Sequence, residues 1–212
     1  MNGPVKRRYD SSRRQEQARE NRRRILGAAH ELFVTKGYGR TTIADVAAEA
    51  GVAPETVYAA FKNKPALLRR TWDVTVGGDD EDVPLFDRPE LRALFAEPDL
   101  RKRFTAFAVF NTATMRRTAR LHLAVRGAAA SDPAAAELLA EFERQRLVAM
   151  AGHARAAAET GQLAVAEDEC RDVLWSTTDG TLWHQLVERR EWTDERYAAW
   201  LGRLWVASFV VA

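Results

Sequence analysis

Cysteine is almost missing from this 212-residue chain, where Cys170 stands alone. A single thiol excludes an intramolecular disulfide framework and fits a reducing compartment, so the expected location is cytoplasmic. Long apolar runs are missing too. The longest, Trp205 to Ala212, falls far short of the roughly 20 residues a membrane span needs, and the N-terminus has no apolar core of a signal peptide. Catalytic signatures are equally scarce: the chain has no G-x-S-x-G, no phosphate-binding loop, no H-E-x-x-H, no C-x-x-C and no Glu-x-x-His pair. His30, His122, His153 and His184 are dispersed and share no metal-ligand spacing. Neither an enzyme nor a metal or cofactor site is expected.

Charge of one sign is also lacking overall, since the formal net charge is only +2. Its distribution is lopsided. Met1 to Trp72 holds 15 Lys and Arg against 7 Asp and Glu, and the remainder 17 against 23, so one end suits a polyanion and the other does not. With 46% hydrophobic residues and no polar low-complexity run, the chain is globular.

What is present centres on Thr41 to Leu68, TTIADVAAEAGVAPETVYAAFKNKPALL. Ile43, Val46, Ala47 and Ala50 recur at helical spacing, Thr42 can cap that helix, and Asp45 occupies the capping-box position. Gly51 follows where a residue free to take positive φ ends a helix. Pro54 fits the first position of a second helix, which buries Val57 and Ala60/Phe61 and leaves Pro54, Glu55, Tyr58, Ala59 and Lys62 outward. Ala47, four before the turn glycine, lets the two helices cross closely. The size and turn are those of a DNA-binding helix-turn-helix, in which the second helix enters the major groove; an ordinary αα-hairpin has the same spacing.

Gly37-Tyr38, TTIADVAAEAGV and T-V-Y-x-x-F-K-N-K-x-A-L-L together resemble the N-terminal domain of tetracycline-repressor (TetR) family transcription regulators, over roughly Arg22 to Trp72. By that resemblance Thr41 or Thr42, Thr56, Tyr58, Lys62 and Lys64 contact DNA phosphates, and Pro54, Glu55 and Ala59 face base edges. Ala53 departs from the pattern, because many members carry Ser or Thr there and Ala caps poorly.

The rest reads as helices, with no competing strand pattern. Residues 1–20 form a basic arm, helical by about Glu16, which serves either as an extra DNA contact or as a solvated tail. Ile25, Leu26, Ala29, Leu32 and Phe33 mark a first helix ending at Gly37, and Asn63 caps a fourth. Gly77 to Asp82 is the clearest break, so the domains are placed at 21–76 and 83–212. Beyond it come helices over Pro89 to Glu97, Asp99 to Ala130, Asp132 to Thr160, Glu167 to Arg189 and one opened by Thr193. The fold class is all-α: a three-helix helix-turn-helix domain and a larger helical domain for ligand binding and dimerisation.

The last helix is apolar nearly all round, with Tyr197, Trp200, Leu201, Leu204, Trp205 and Ser208 on one side and Val206, Phe209 and Val210 on the other. Such a helix needs cover on both sides. The resemblance implies a second copy packed on Trp200, Leu201, Leu204, Trp205 and Ser208; full burial within the monomer is the alternative. Phe104, Phe107, Phe110, Trp175 and Trp183, interspersed with Asn111, Thr114, His122 and Asp179, have the composition of a mostly apolar pocket, and equally of a plain helical core. Trp175, Asp179 and Trp183 stand at i, i+4, i+8 if one helix carries them.

The sequence therefore reads as a dimeric repressor that binds double-stranded operator DNA at an inverted repeat and is released by a small apolar or aromatic ligand. The alternatives are a helical binding or structural protein whose helix-turn-helix no longer reads DNA, and a regulator acting without an effector.

Overall fold

In the computed structural model residues 5–79 and 87–211 are described, with side chains from Arg13 onward. Two compact units form, Met1–Asp73 and Val74–Ala212. The expected break from Asp80, and the first residues of the expected 83–212 domain, lie outside the described residues. The ends of that stretch are tied together, because the Arg88 guanidinium donates to both carboxylate oxygens of Asp79 at 2.6 and 2.8 Å.

The first unit is built from α1 (Val5–Leu32), α2 (Ile43–Ala50), α3 (Pro54–Phe61) and the start of α4 (Lys64–Gly77). Helix α1 begins well before Glu16, so the basic segment from Val5 is helical. It winds into a looser π-helical turn at Phe33–Gly37, which Gly37 ends at φ +86°. Apolar residues at 3- and 4-residue steps pack inward: Ile25, Leu26, Ala29 and Phe33 meet Val46, Ala47, Val57, Leu67 and Leu68, each 4% exposed or less. Every large aliphatic side chain buried this way stabilises the unit by about 1.5–3 kcal/mol.

The second unit comprises α5 (Pro89–Ala96), α6 (Leu100–Ala129), α7 (Pro133–Ala158), α8 (Glu167–Thr177), α9 (Thr181–Trp183, continued by a π-helical turn to Glu188) and α10 (Asp194–Phe209). Asp99 and Asp132 cap α6 and α7 by accepting from the next free N–H groups, and Thr193 caps α10. Helix α6 is unbroken over 30 residues and carries the core. Helix α10 lies antiparallel on it so closely that a Cβ at Gly202 would sit 3.3 Å from the Thr105 Cα. Phe107 stacks on Trp205, and Phe104 packs at a tilt against Trp205 and Phe209, with centroids 5.1–6.4 Å apart. Among the described residues the one β-pairing is an isolated bridge, Leu163 with Val210. None of the described helices is long and apolar enough to cross a membrane.

One expected helix is two. Between Glu167 and Arg189 the chain breaks at Thr178–Gly180. The Thr177 and Thr178 hydroxyls bond back to the Val173 and Leu174 carbonyls, Gly180 takes φ +84°, and Asp179 accepts from the Thr181 N–H at 2.9 Å. A Cβ at Gly180 would meet the Ala119 backbone at 3.0 Å, so both the conformation and the approach to α6 demand glycine. The i, i+4, i+8 alignment of Trp175, Asp179 and Trp183 therefore does not exist.

Candidate nucleic-acid interface

Helix α2, which leads into the turn before α3, is fixed at both ends by local chemistry. Thr42 Oγ1 accepts from the Asp45 N–H at 3.1 Å, while Asp45 Oδ2 accepts from the Thr42 N–H and hydroxyl, each at 2.8 Å, completing the capping box. Lys36 Nζ approaches the same oxygen at 2.6 Å, and that bond, ahead of those from Thr42, lowers the Asp45 pKa to about 2. At the other end Gly51 is left-handed, φ +62°, and the Val52 N–H reaches the Ala47 carbonyl at 3.0 Å, the wrap that closes a helix into a turn. The Arg24 guanidinium from α1 donates to the Ala50 and Gly51 carbonyls. No local pattern signals that clamp, which joins groups 26 residues apart.

Helix α3 follows with Pro54 at its first turn and Ala53 as an N-cap without a side-chain bond. Val57 and Phe61 are buried; Pro54, Glu55, Tyr58, Ala59 and Lys62 are exposed, with Thr56 half-buried. Ala60, expected inside with Phe61, is exposed as well, because the crossing with α2 is already filled by Val57 and Phe61. Tyr58 is 52% exposed, a large ring held out in solvent on the face expected to meet DNA.

Two expected phosphate contacts turn inward. Thr41 is 1% exposed, and its hydroxyl donates to the Leu32 and Gly37 carbonyls at 3.1 and 2.9 Å. Of the pair, Thr42 is the exposed one. The Lys64 ammonium donates to the Tyr38 carbonyl at 3.0 Å and sits 4.2 Å from that ring's centre, so it braces Gly37-Tyr38 against α4. Lys62 has no such tie among the described residues of the unit. Its backbone stands at φ +64°, ψ −52°, with the Asn63 N–H bonded to the Phe61 carbonyl at 2.7 Å, a tight three-residue turn that is strained for a side chain with a Cβ. Asn63 Oδ1 then accepts from the Ala66 N–H at 2.9 Å and starts α4.

The arrangement can present one short helix, with few apolar anchors and the Lys62 ammonium at its end, to a groove. Residues 25–71 match the family described as bacterial regulatory proteins, tetR family. Over that stretch the chain is similar to the TetR family. HTH-type transcriptional regulator TtgR of Pseudomonas putida is 41% identical over 61 residues, 29% of this chain and 29% of that protein. The uncharacterized HTH-type transcriptional regulator YvkB of Bacillus subtilis (strain 168) is 44% identical over 50 residues, 24% of this chain and 26% of that protein. The chain thus matches less than a third of the length of these curated relatives. A solved Bacillus subtilis FadR in complex with stearoyl-CoA is similar over 87% of this chain and 97% of that one, with a TM-score of 0.67 at 18% identity. A Saccharomonospora viridis regulator in complex with choline is similar over 90% and 98%, with a TM-score of 0.64 at 22% identity. At these identities the likeness is one of fold, and it extends through both units.

The residues expected to line a pocket lie in the second unit but not in one place. Phe104 and His122 are 18 positions apart on α6, about 27 Å at 1.5 Å per residue. Phe104 and Phe107 are core: besides Trp205, Phe107 stacks on His153 at 3.9 Å. Trp183 is buried with its indole N–H on Asp194 at 2.9 Å, and half-buried Trp175 donates to the Glu143 carbonyl under the Arg146 guanidinium. Asp179 accepts from Arg126 at 3.0 Å and from Thr181. Phe110 is half-buried and the Thr114 hydroxyl returns to its carbonyl. His122 is 3% exposed, and burial, reinforced by Arg126 and Arg146, pushes its pKa down to about 4. On the α6–α10 face two buried polar atoms have no hydrogen-bond partner among the described residues: Asn111 Nδ2 and the Tyr197 hydroxyl. The Arg116–Asp194 ion pair and the Gly202–Thr105 contact set the register of α6 against α10. The tyrosine was not among the expected pocket residues, since its spacing marked it only as apolar.

The expected dimer seam divides. Leu201 and Trp205 are fully buried within their own unit, and the Trp205 indole N–H donates to Thr177 Oγ1 at 3.0 Å. These two belong to the monomer core, because α10 packs that side on α6. Trp200 and Leu204 are half-buried at the edge of the core, Trp200 against Trp192 and Tyr197, and Ser208 is exposed, so these three keep surface that the unit itself does not cover.

Proposed function

We propose that this protein is a sequence-specific, dimeric, ligand-responsive transcription repressor. The observation that carries the reading is α3 itself: a helix anchored through Val57 and Phe61, started by a glycine turn, whose outer face holds Glu55, Tyr58 and Ala59 exposed beside Lys62. Glu55, Ala59 and Pro54 read base edges; Thr42, Thr56, Tyr58 and Lys62 meet phosphates; Lys64 acts by holding Tyr38. Two copies read an inverted repeat of double-stranded DNA, with half-sites about 34 Å apart or slightly more.

The dimer forms through the outward face of α10, Trp200, Leu204 and Ser208. The ligand is a small, mostly apolar molecule with one polar group, since Asn111 and Tyr197 each leave a buried atom unpartnered among the described residues and such atoms cost about 1–3 kcal/mol until satisfied. FadR and the Saccharomonospora regulator are, by description, complexes with stearoyl-CoA and choline, which supports an effector without naming this one. A nearly complete release from DNA requires the ligand to favour the non-binding form by about 5.5 kcal/mol.

The test is a mobility shift on the DNA upstream of the protein's own coding region. A specific, competitor-resistant complex is expected. Equal competition by unrelated duplex would leave the protein as a helical binding protein with a silent helix-turn-helix.

A further inference from the structure

Helix α1 is far longer than its packing needs. Among its described side chains the first buried are Ile25 and Leu26, with Asn21 and Arg22 half-buried, and residues 13–20 are all exposed. The helix nevertheless runs back to Val5. The eight residues from Arg13 to Glu20 give roughly 12 Å of exposed helix at 1.5 Å per residue.

Charge on this spur is arranged by side. At 3- and 4-residue steps Arg14, Gln15, Ala18, Arg19 and Arg22 continue the stripe that becomes Ile25, Leu26 and Ala29, the side of α1 that carries the helix-turn-helix. Glu16 and Glu20 lie on the opposite side, where Glu20 pairs with Arg23 at 3.1 Å. Between Arg13 and Arg22 the arginine side therefore carries no acid of its own. Its bearing is fixed at the inner end, where the Arg22 guanidinium sits over Phe61, the last residue of α3, at 5.1 Å from the ring centre. The first turn of α1 contains no acidic residue, so nothing within that turn offsets the positive end of the helix dipole.

We propose that the α1 spur is a second DNA-binding surface, whose arginine side lies along the phosphates of the duplex flanking the stretch read by α3, with Arg14 and Arg19 as its contacts. The proposal rests on α3 being the reading helix. Flanking duplex is the occupant because the stretch from Arg13 to Arg22 holds its arginines on one side and Glu16 and Glu20 on the other, oriented from the end of α3, and because about 12 Å of helix matches about three to four base pairs at 3.4 Å each. Such contacts carry no sequence information and act through counterion release.

The experiment is a salt titration of binding, read by fluorescence anisotropy, with the full chain on a selected operator bearing ten-base-pair flanks and on the same operator trimmed to its ends. For the unaltered protein, trimming should flatten the slope of log K against log salt by about three to four units per dimer. R14A/R19A should show the flattened slope on the long duplex and no further change on trimming, with an unchanged melting temperature. R14K/R19K should restore most of the slope. Equal slopes for long and trimmed DNA with the unaltered protein, or an unaltered slope for R14A/R19A, would overturn the proposal. Loss of slope without any preference for operator over scrambled duplex would instead retain the spur and defeat the reading of α3.

Discussion

Three side chains around the turn have distinct duties. Lys62 holds a strained backbone and an ammonium turned to solvent. Lys62→Gly should stabilise the unit by about 0.5–1 kcal/mol by relaxing the positive φ, yet weaken binding to every duplex and reduce the salt slope by about one unit per protomer; thermal melts and anisotropy together check this. Lys64→Ala should do the reverse, lowering the melting temperature through loss of the Tyr38 contacts, with a smaller effect on the slope. Asp45, with its pKa lowered to about 2 chiefly by Lys36, contributes stability that is whole above about pH 4 and lost as pH falls toward 2. Asp45→Asn should therefore melt lower than the parent at pH 7, and the gap should shrink between about pH 4 and pH 2 and close below that. A gap as wide at pH 2 as at pH 7 would remove the ion pair from the account.

At the scale of elements, legibility followed the range of the interactions. Helices α2 and α3 could be read nearly residue by residue, Ala60 excepted, because their caps, glycine turn and proline start act within four positions. The inward turn of Thr41 and Lys64 could not, since the carbonyls that hold them belong to Leu32 and Tyr38. The break before α9 escaped for the same reason: its glycine is required by Ala119, far back on α6. In α10 the apolar pattern ran all round, so only packing on α6 could separate buried Leu201 and Trp205 from outward Trp200 and Leu204. Helix α7 supplies a test of the core. His153 is 5% exposed between Phe95 and Phe107, and burial, with Arg103 adding, pushes its pKa down to about 3. The unfolded chain takes up the proton near pH 6.5, so stability is whole above that pH and declines as pH falls toward 3, by up to about 1.4 kcal/mol per pH unit. His153→Phe should flatten the acid limb between about pH 6 and 4, as followed by tryptophan fluorescence.

For the whole molecule the two sides of α10 make opposite forecasts. Trp205→Ala opens a cavity beside Phe104 and Phe107 and should cost about 3–5 kcal/mol. Trp200→Glu should leave the monomer folded, dissociate the dimer in light scattering and reduce operator affinity with it. If Trp200→Glu remains dimeric at micromolar concentration, the seam lies elsewhere. Ligand and DNA are then linked through the same assembly: an effector that releases DNA must bind less tightly by the same factor when operator is present, which parallel titrations of tryptophan fluorescence would show. All of this depends on α3 reading sequence. The most direct measurement is selection from a random duplex library with the parent protein and with Glu55→Gln. The parent should enrich an inverted repeat with half-sites about ten base pairs apart, and Glu55→Gln should change the preferred base at one position in each half-site. Recovery of no motif, or of the same motif by both proteins, would contradict the assignment of that face.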